Sequence, residues 1–229
     1  MKLAITAAAV ASLVAASAAS AQIAYWAFPA TAPTQNYQIS FPLAADQKAN
    51  AGAAVITTNA LTWTGGAPVD SVAQGSFQYF GGSTLNALPG FTAGQGLSFR
   101  GNTNNDSNGK SMTLQFDTTG FSDIVLSYAE RVTGTGANSI AFSYSTDGTN
   151  FTPFTTVAPT RDSTFRVRTV DFSSVPALNN LAAAYIRMEF TGFSSAAGAV
   201  RFDNIQVVPT PGAAALLGLG GLAAFRRRR

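Results

Sequence analysis

The chain has 229 residues, 14 of them basic and 11 acidic, with 17 Phe and neither His nor Cys. Without imidazole or thiol it cannot build a Ser-His-Asp triad, a Cys nucleophile, a His-ligated zinc centre or a disulfide. The formal charge of +3 belongs to the ends: Lys2, Arg226, Arg227, Arg228 and Arg229 are five of the fourteen basic residues, so residues 22–208 hold nine basic against eleven acidic, a net of −2. That balance excludes nucleic-acid binding read from the high pI.

At the start, Met1-Lys2 supplies a positive n-region, Leu3 to Ala16 an apolar h-region, and Ala19-Ser20-Ala21 a small-x-small cleavage pattern. Cleavage before Gln22 is the expectation, and with it export. The chain then divides into a signal peptide (1–21), one body (22–208) and a tail (209–229). A body of that length buries about 70% of its unfolded surface and can hold a core without disulfides.

Along the body the apolar residues alternate with period two, separated by Gly, Asn, Asp, Ser and Pro. Met112, Leu114 and Phe116 share one face, as do Ile124, Leu126 and Tyr128, and Ile140, Phe142 and Tyr144. Phe165 and Val167 alternate with Arg166 and Arg168, and Ile186, Met188 and Phe190 with Arg187 and Glu189. Each run predicts a strand with one face in a core and one in water. Pro176 to Ala184 has room for a short helical turn. Asp147-Gly148 predicts a tight turn joining Ser139–Thr146 to Phe151–Val157 as antiparallel neighbours. Gly101 to Gly109 reads as a loop between Leu97–Arg100 and Ser111–Asp117. Many short strands between turn signals predict an all-β fold, a single β-sandwich of jelly-roll type.

Aromatic side chains that could stack on sugar rings are Trp26, Trp63, Tyr79 and Phe80. As adjacent strand residues, Tyr79 and Phe80 must point to opposite faces, so one of them leaves whatever core holds the other. Core packing is the ordinary fate of such residues, and none is assigned a binding role.

A glycosidase needs two carboxylates flanking a cleft. Glu130 and Glu189 are the only glutamates, each in a strand beside a basic residue, Arg131 or Arg187. This predicts paired charges on a solvated sheet face and no catalysis. Asn104-x-Asp106-x-Asn108-Gly109 mimics the opening of a calcium loop, but Gln115 stands where the bidentate Glu belongs, and the run reads as an Asn-rich turn. Near the end of the body, Val200 and Phe202 share one parity and Ile205 and Val207 the other. That slip predicts a β-bulge at Asp203-Asn204, which could turn Asp203 toward a structural Ca²⁺.

The tail reads Pro209-Thr210-Pro211, then Gly212 to Phe225 without a charge, then the basic cluster Arg226, Arg227, Arg228 and Arg229. As a helix the apolar run would reach about 21 Å, short of the ~30 Å hydrocarbon core, with the arginines held at the cytoplasmic leaflet. Motif, apolar segment and basic cluster together resemble the PEP-CTERM sorting tail of Gram-negative bacteria, with Thr210 where that family usually carries Glu. The resemblance implies a C-terminal apolar helix in the membrane and an exosortase-like enzyme as processing partner. Two further segments, Ser143 to Phe151 and Val200 to Val207, resemble pieces of secreted bacterial jelly-roll ectodomains, including carbohydrate-binding modules. The expectation is an exported, non-catalytic β-sandwich with a structural or adhesive role at the cell envelope or extracellular matrix, with extracellular polysaccharide as a candidate partner.

Overall fold

The period-two alternation produces two antiparallel sheets that face each other across a phenylalanine-rich core. The computed structural model describes residues 22–28, 39–62 and 75–210. The expected signal segment with Ala19 and Ala21 lies outside the described residues, as does Trp63. So does the tail from Pro211 onward, with its expected apolar helix and the sorting-motif arginines Arg226, Arg227, Arg228 and Arg229.

The seven-stranded sheet contains β1 (Ala24–Trp26), β3 (Gln47–Lys48), β5 (Phe77–Gly81), β6 (Gln95–Arg100), β8 (Ile124–Val132), β11 (Arg166–Asp171) and β13 (Ala199–Pro209). The six-stranded sheet runs in the order β10 (Thr152–Val157), β9 (Ser139–Ser145), β12 (Ala184–Thr191), β7 (Lys110–Phe116), β4 (Val55–Thr58) and β2 (Leu43–Ala44). β13 organises the larger sheet: β8 pairs along one side of it, while the other side takes β6 at Ala199–Phe202 and β1 at Ile205–Val207.

The exchange of partners happens at the predicted bulge. The register with β8 passes from Asp203↔Ala129 directly to Gln206↔Ser127, and Asn204 has φ 49°. Asparagine tolerates this left-handed conformation far better than most residues. The extra residue reverses the parity of the strand, so Val200, Phe202, Ile205 and Val207 are all buried.

Rings cross the core from sheet to sheet. Phe77 stacks on Phe99 at 4.8 Å, Phe99 meets Phe190 edge-on at 4.8 Å, Phe190 meets Phe202 at 5.7 Å, and Phe202 meets Tyr128 at 5.5 Å. Phe190 comes from the six-stranded sheet and the other four from the seven-stranded sheet, so this one ring fastens the two layers together.

Other expectations are met or corrected in detail. Pro176–Leu178 forms a short 3-10 turn. β9 and β10 are neighbours, but the turn is wider than predicted: residues 146–151 connect them, Gly148 takes φ 74°, and the Asp147 carboxylate accepts from the N–H groups of Thr149 and Asn150. The Asn150 side chain and these backbone donors hold the Asp147 carboxyl well below the usual range. Residues 101–109 carry the chain from the larger sheet to the smaller, and Asn108 clamps Phe193 by accepting from its N–H and donating to its carbonyl.

The face expected of β11 is inverted. Val167 is 47% exposed, whereas Arg166 and Arg168 lie on the same side as buried Val170. β11 is an edge strand, where a long arginine stem can cover apolar surface while its head finds a partner. Here Arg168 reaches Glu130 and Arg166 reaches Asp162. The boundary expected after Val208 also moves. Pro209 closes β13 opposite Ile124 and is buried, and Thr210 donates through both its N–H and its hydroxyl to the carbonyl of Asp123. The first two residues of the tail motif thus belong to the sandwich.

Candidate functional site

Outward-facing residues of the six-stranded sheet fall into three rows fixed by strand register. Val55, Gln115, Tyr185 and Ser145 form the first; Thr57, Thr113, Arg187, Ser143 and Pro153 the second; Ser111, Glu189, Ala141 and Thr156 the third. These are the polar partners of the core-facing alternation, so the pattern that buries Leu114, Ile186 and Met188 also presents hydroxyls, an amide, a phenol and a guanidinium on the other face. Arg187 lies at the middle, its guanidinium carbon 3.4 Å from the centre of the Phe151 ring and its Nε donating to Thr113 Oγ1 at 3.5 Å.

Two open grooves flank it. One, about 380 Å³, lies over β9 and β10 among Ser143, Phe151, Pro153, Phe154, Thr156 and Glu189. The other, about 210 Å³, lies over β4 and β7 among Thr57, Asn59, Ser111, Thr113, Gln115 and Tyr185. Arg187 borders both. The Tyr185 ring is braced by the hairpin tip, since a Cβ on Gly148 would lie 2.9 Å from its Cζ. The arrangement offers hydrogen-bonding groups and ring surface over an open face, suited to an extended polar ligand held without covalent chemistry.

The aromatic candidates separate. Trp26 is 1% exposed in the core, with Nε1 donating to the Leu43 carbonyl at 3.2 Å. Tyr79 packs against the core from β5, and Phe80 takes the opposite, outer face, as adjacent strand residues must.

Glu130 is not on a solvated face beside Arg131. It is 3% exposed, points into the edge of the sandwich and accepts from Arg168 Nε at 3.1 Å. Burial raises its carboxyl above the usual range, against the opposing pull of Arg168. Its other oxygen and the Tyr128 hydroxyl have no hydrogen-bond partner, beside a cavity of about 140 Å³ lined by Tyr128, Val157, Pro159 and Arg168. Proximity in sequence pairs Glu130 with Arg131; the true partner comes from the adjacent strand. Glu189 lies on the outer face of the other sheet, so the core separates the two glutamates and they form no carboxylate pair.

Asp203 lies at the bulge, 1% exposed, and both its oxygens are engaged. Oδ2 accepts from the Ser83 N–H at 2.5 Å and Oδ1 from the Asn204 N–H at 2.9 Å. Among the described residues no group of three or more His, Cys, Asp or Glu gathers that could hold a metal ion. The polar neighbours of Asp203 fasten a loop. Asn204 donates from Nδ2 to the carbonyls of Ser83 and Leu85 at 2.8 and 2.9 Å, and accepts from the Tyr25 hydroxyl at 2.5 Å. Asn86 donates back to the Asn204 carbonyl at 2.7 Å. The slip in parity reveals the bulge but not the loop it holds, because residues 83–86 and 203–204 are distant in the chain.

Burial lifts the Asp203 carboxyl from its ordinary 3.8 to about 6, against the two N–H bonds that favour the charged form. Folding therefore favours the protonated acid. This contribution to stability is complete below about pH 4 and is lost as the pH rises through about 6. The unfolding free energy of the parent minus that of Asp203→Asn is expected to fall between those values, as read from denaturant melts at several pH values. A flat difference would contradict the assignment.

Of the remaining sequence-predicted residues, Gln22 is tied to the larger sheet, its side chain donating to the Val207 carbonyl at 3.2 Å while the next N–H, from Ile23, donates to the same oxygen at 2.9 Å.

No protein family matches this sequence, and no curated protein is significantly similar to it. Solved structures do resemble it in part. The K2 cleaved adhesin domain of Lys-gingipain is 20% identical over 67% of this chain and 99% of its own, with a TM-score of 0.40. The CBM22-1-GH10 modules of a Clostridium thermocellum endo-1,4-β-D-xylanase, crystallised with xylohexaose, are 10% identical over 83% of this chain, which spans 29% of that one, with a TM-score of 0.44. The xylan-binding module CBM15 is 12% identical over 50% of this chain and 77% of its own, with a TM-score of 0.38.

Proposed function

We propose that this chain is an exported adhesive component of the cell envelope or extracellular matrix that holds extracellular polysaccharide non-covalently on the outer face of its six-stranded sheet. The two grooves on either side of Arg187 carry this reading. They combine ring surface from Phe151 and Tyr185 with the hydroxyl and amide groups of Thr57, Ser111, Thr113 and Gln115. A sugar chain needs both kinds of contact, an apolar face for its C–H groups and polar partners for its hydroxyls, and an open groove lets it run through without ends. Delivery follows from the leader with its cleavage site after Ala21 and from the tail, where Pro209-Thr210-Pro211, the apolar run and the cluster Arg226, Arg227, Arg228 and Arg229 would direct an exosortase-like enzyme.

The test is binding of the full chain to neutral polysaccharides, by pull-down and by calorimetry with oligosaccharides. Tyr185→Ala is expected to weaken binding about tenfold, the equivalent of ~1.4 kcal/mol, with little change in the melting temperature. Silence across the panel would leave a scaffold role without sugar recognition, and Tyr185→Ala binding like a sugar-binding parent would place recognition away from these grooves.

A further inference from the structure

The outer face of the seven-stranded sheet carries an arrangement that its own stability does not explain. Arg201 of β13 and Arg131 of β8 are directly opposite each other in the register, both on the outward parity and both half-buried. Like charges placed opposite across a strand pair destabilise a sheet, and a nearby carboxylate would relieve them. None is paired with them among the described residues, where Arg166 pairs with Asp162 and Arg168 with Glu130. Asp203, two residues further along the same strand, has committed its oxygens to the N–H groups of Ser83 and Asn204.

What the two guanidinium groups share is Phe80. Its ring centre lies 3.4 Å from the Arg201 guanidinium carbon and 5.4 Å from that of Arg131. A ring quadrupole holds a cation in place and leaves its full charge available. The buried Nε atoms of both arginines have no hydrogen-bond partner, and the hydroxyl of Ser98, which faces Arg201 across the sheet and is 0% exposed, has none either. Partial desolvation and the nearness of Arg131 and Arg100 pull Arg201 down to about 10, still fully charged at neutral pH. Two like charges with no paired carboxylate among the described residues, and a ring that orients both, describe half of a complex.

We propose that Arg131 and Arg201, oriented by Phe80, form a binding site for the acidic groups of an anionic polysaccharide, carboxylate or sulfate ester. Each planar guanidinium can offer paired N–H donors to such an oxyanion, a geometry that a lysine cannot reproduce. The net charge of −2 on residues 22–208 repels densely charged polyanions in general, so attraction must come from this local pair and favours a chain whose acidic groups are spaced apart. That the oxyanion is carried on a polysaccharide rests on the surface role proposed above; the oxyanion site itself does not, because it lies on the opposite sheet from the grooves around Arg187.

Calorimetry of the full chain at low salt with trigalacturonate, a sulfated trisaccharide and neutral galactotriose separates the possibilities. At least one acidic ligand is expected to bind about tenfold or more tightly than the neutral one, and the tighter of the two identifies the group recognised. Arg201→Gln and Arg131→Gln should each reduce that preference severalfold and together abolish it, while galactotriose binding, which reads the other sheet, stays unchanged. The melting temperature of Arg201→Gln should hold or rise, because a like-charge contact is removed. Arg166→Gln, and a variant with Gln at all four of Arg226, Arg227, Arg228 and Arg229, should keep the preference and so exclude nonspecific attraction to positive charge. Equal binding of acidic and neutral ligands by the parent, or an undiminished preference in the double variant, would overturn the site. Loss of galactotriose binding by Tyr185→Ala with the acidic preference intact would show the two sites to be independent.

Discussion

Phe190→Ala is expected to destabilise the protein by about 4 kcal/mol, within the range for deleting a buried phenylalanine. Phe190 is 0% exposed and touches Phe99 and Phe202, both from the opposite sheet. Removing its ring costs the transfer free energy of the side chain and opens a void between the layers. The rigid rings around that void cannot collapse to fill it without breaking their own edge-on contacts. Phe190→Leu, which keeps most of the volume, should cost less than about 2 kcal/mol. Denaturant melts with an unchanged m-value would measure both. A loss under ~1 kcal/mol for the alanine variant would mean that the sheets do not meet at this ring.

Asn204→Ala is expected to cost about 3 kcal/mol, although it removes only a small polar side chain. The amide satisfies three partners at once, the buried Tyr25 hydroxyl and the part-buried carbonyl contacts to Ser83 and Leu85. Alanine would leave these without that partner and would also be forced to adopt φ 49°. Glycine at the same position loses the same hydrogen bonds but accepts the backbone angle, so Asn204→Gly should be about 1 kcal/mol more stable than Asn204→Ala. Hydrogen exchange gives an independent reading: amides of the loop from Gly82 to Leu88 should exchange faster in both variants while those of β12 stay protected. Unchanged exchange in that loop would show that the bulge does not hold it.

The two variants also show where sequence reasoning succeeds and where it stops. The burial of Phe190 follows from alternation with Arg187 and Glu189 along one strand, and the bulge at Asp203-Asn204 from a slip in parity between Phe202 and Ile205. Neither pattern says which residues lie across the gap. Phe190 meets rings from β6 and β13, and Asn204 meets a loop about 120 residues earlier in the chain. The same limit explains the errors. Sequence proximity offers Glu130 its neighbour Arg131, but adjacent strand residues point to opposite faces, and register places Arg168 in reach. The buried side of β11 is misread because its alternation is ambiguous: two arginines at the sandwich edge occupy the positions that alternation would normally give to apolar residues.

By itself the sequence determined the local facts: strands where apolar residues recur every second position, a sandwich where strands are many and short, a bulge where parity slips, and a chemistry of oxygen and nitrogen groups without imidazole or thiol where His and Cys are missing. These depend on bonds and angles within a few residues. Only the tertiary structure decided the grooves beside Arg187, the loop held by Asn204 and the facing pair of Arg131 and Arg201 over Phe80. Each depends on which strands lie side by side and in what register, and that is settled by packing two whole faces against each other, a condition spread over the entire chain.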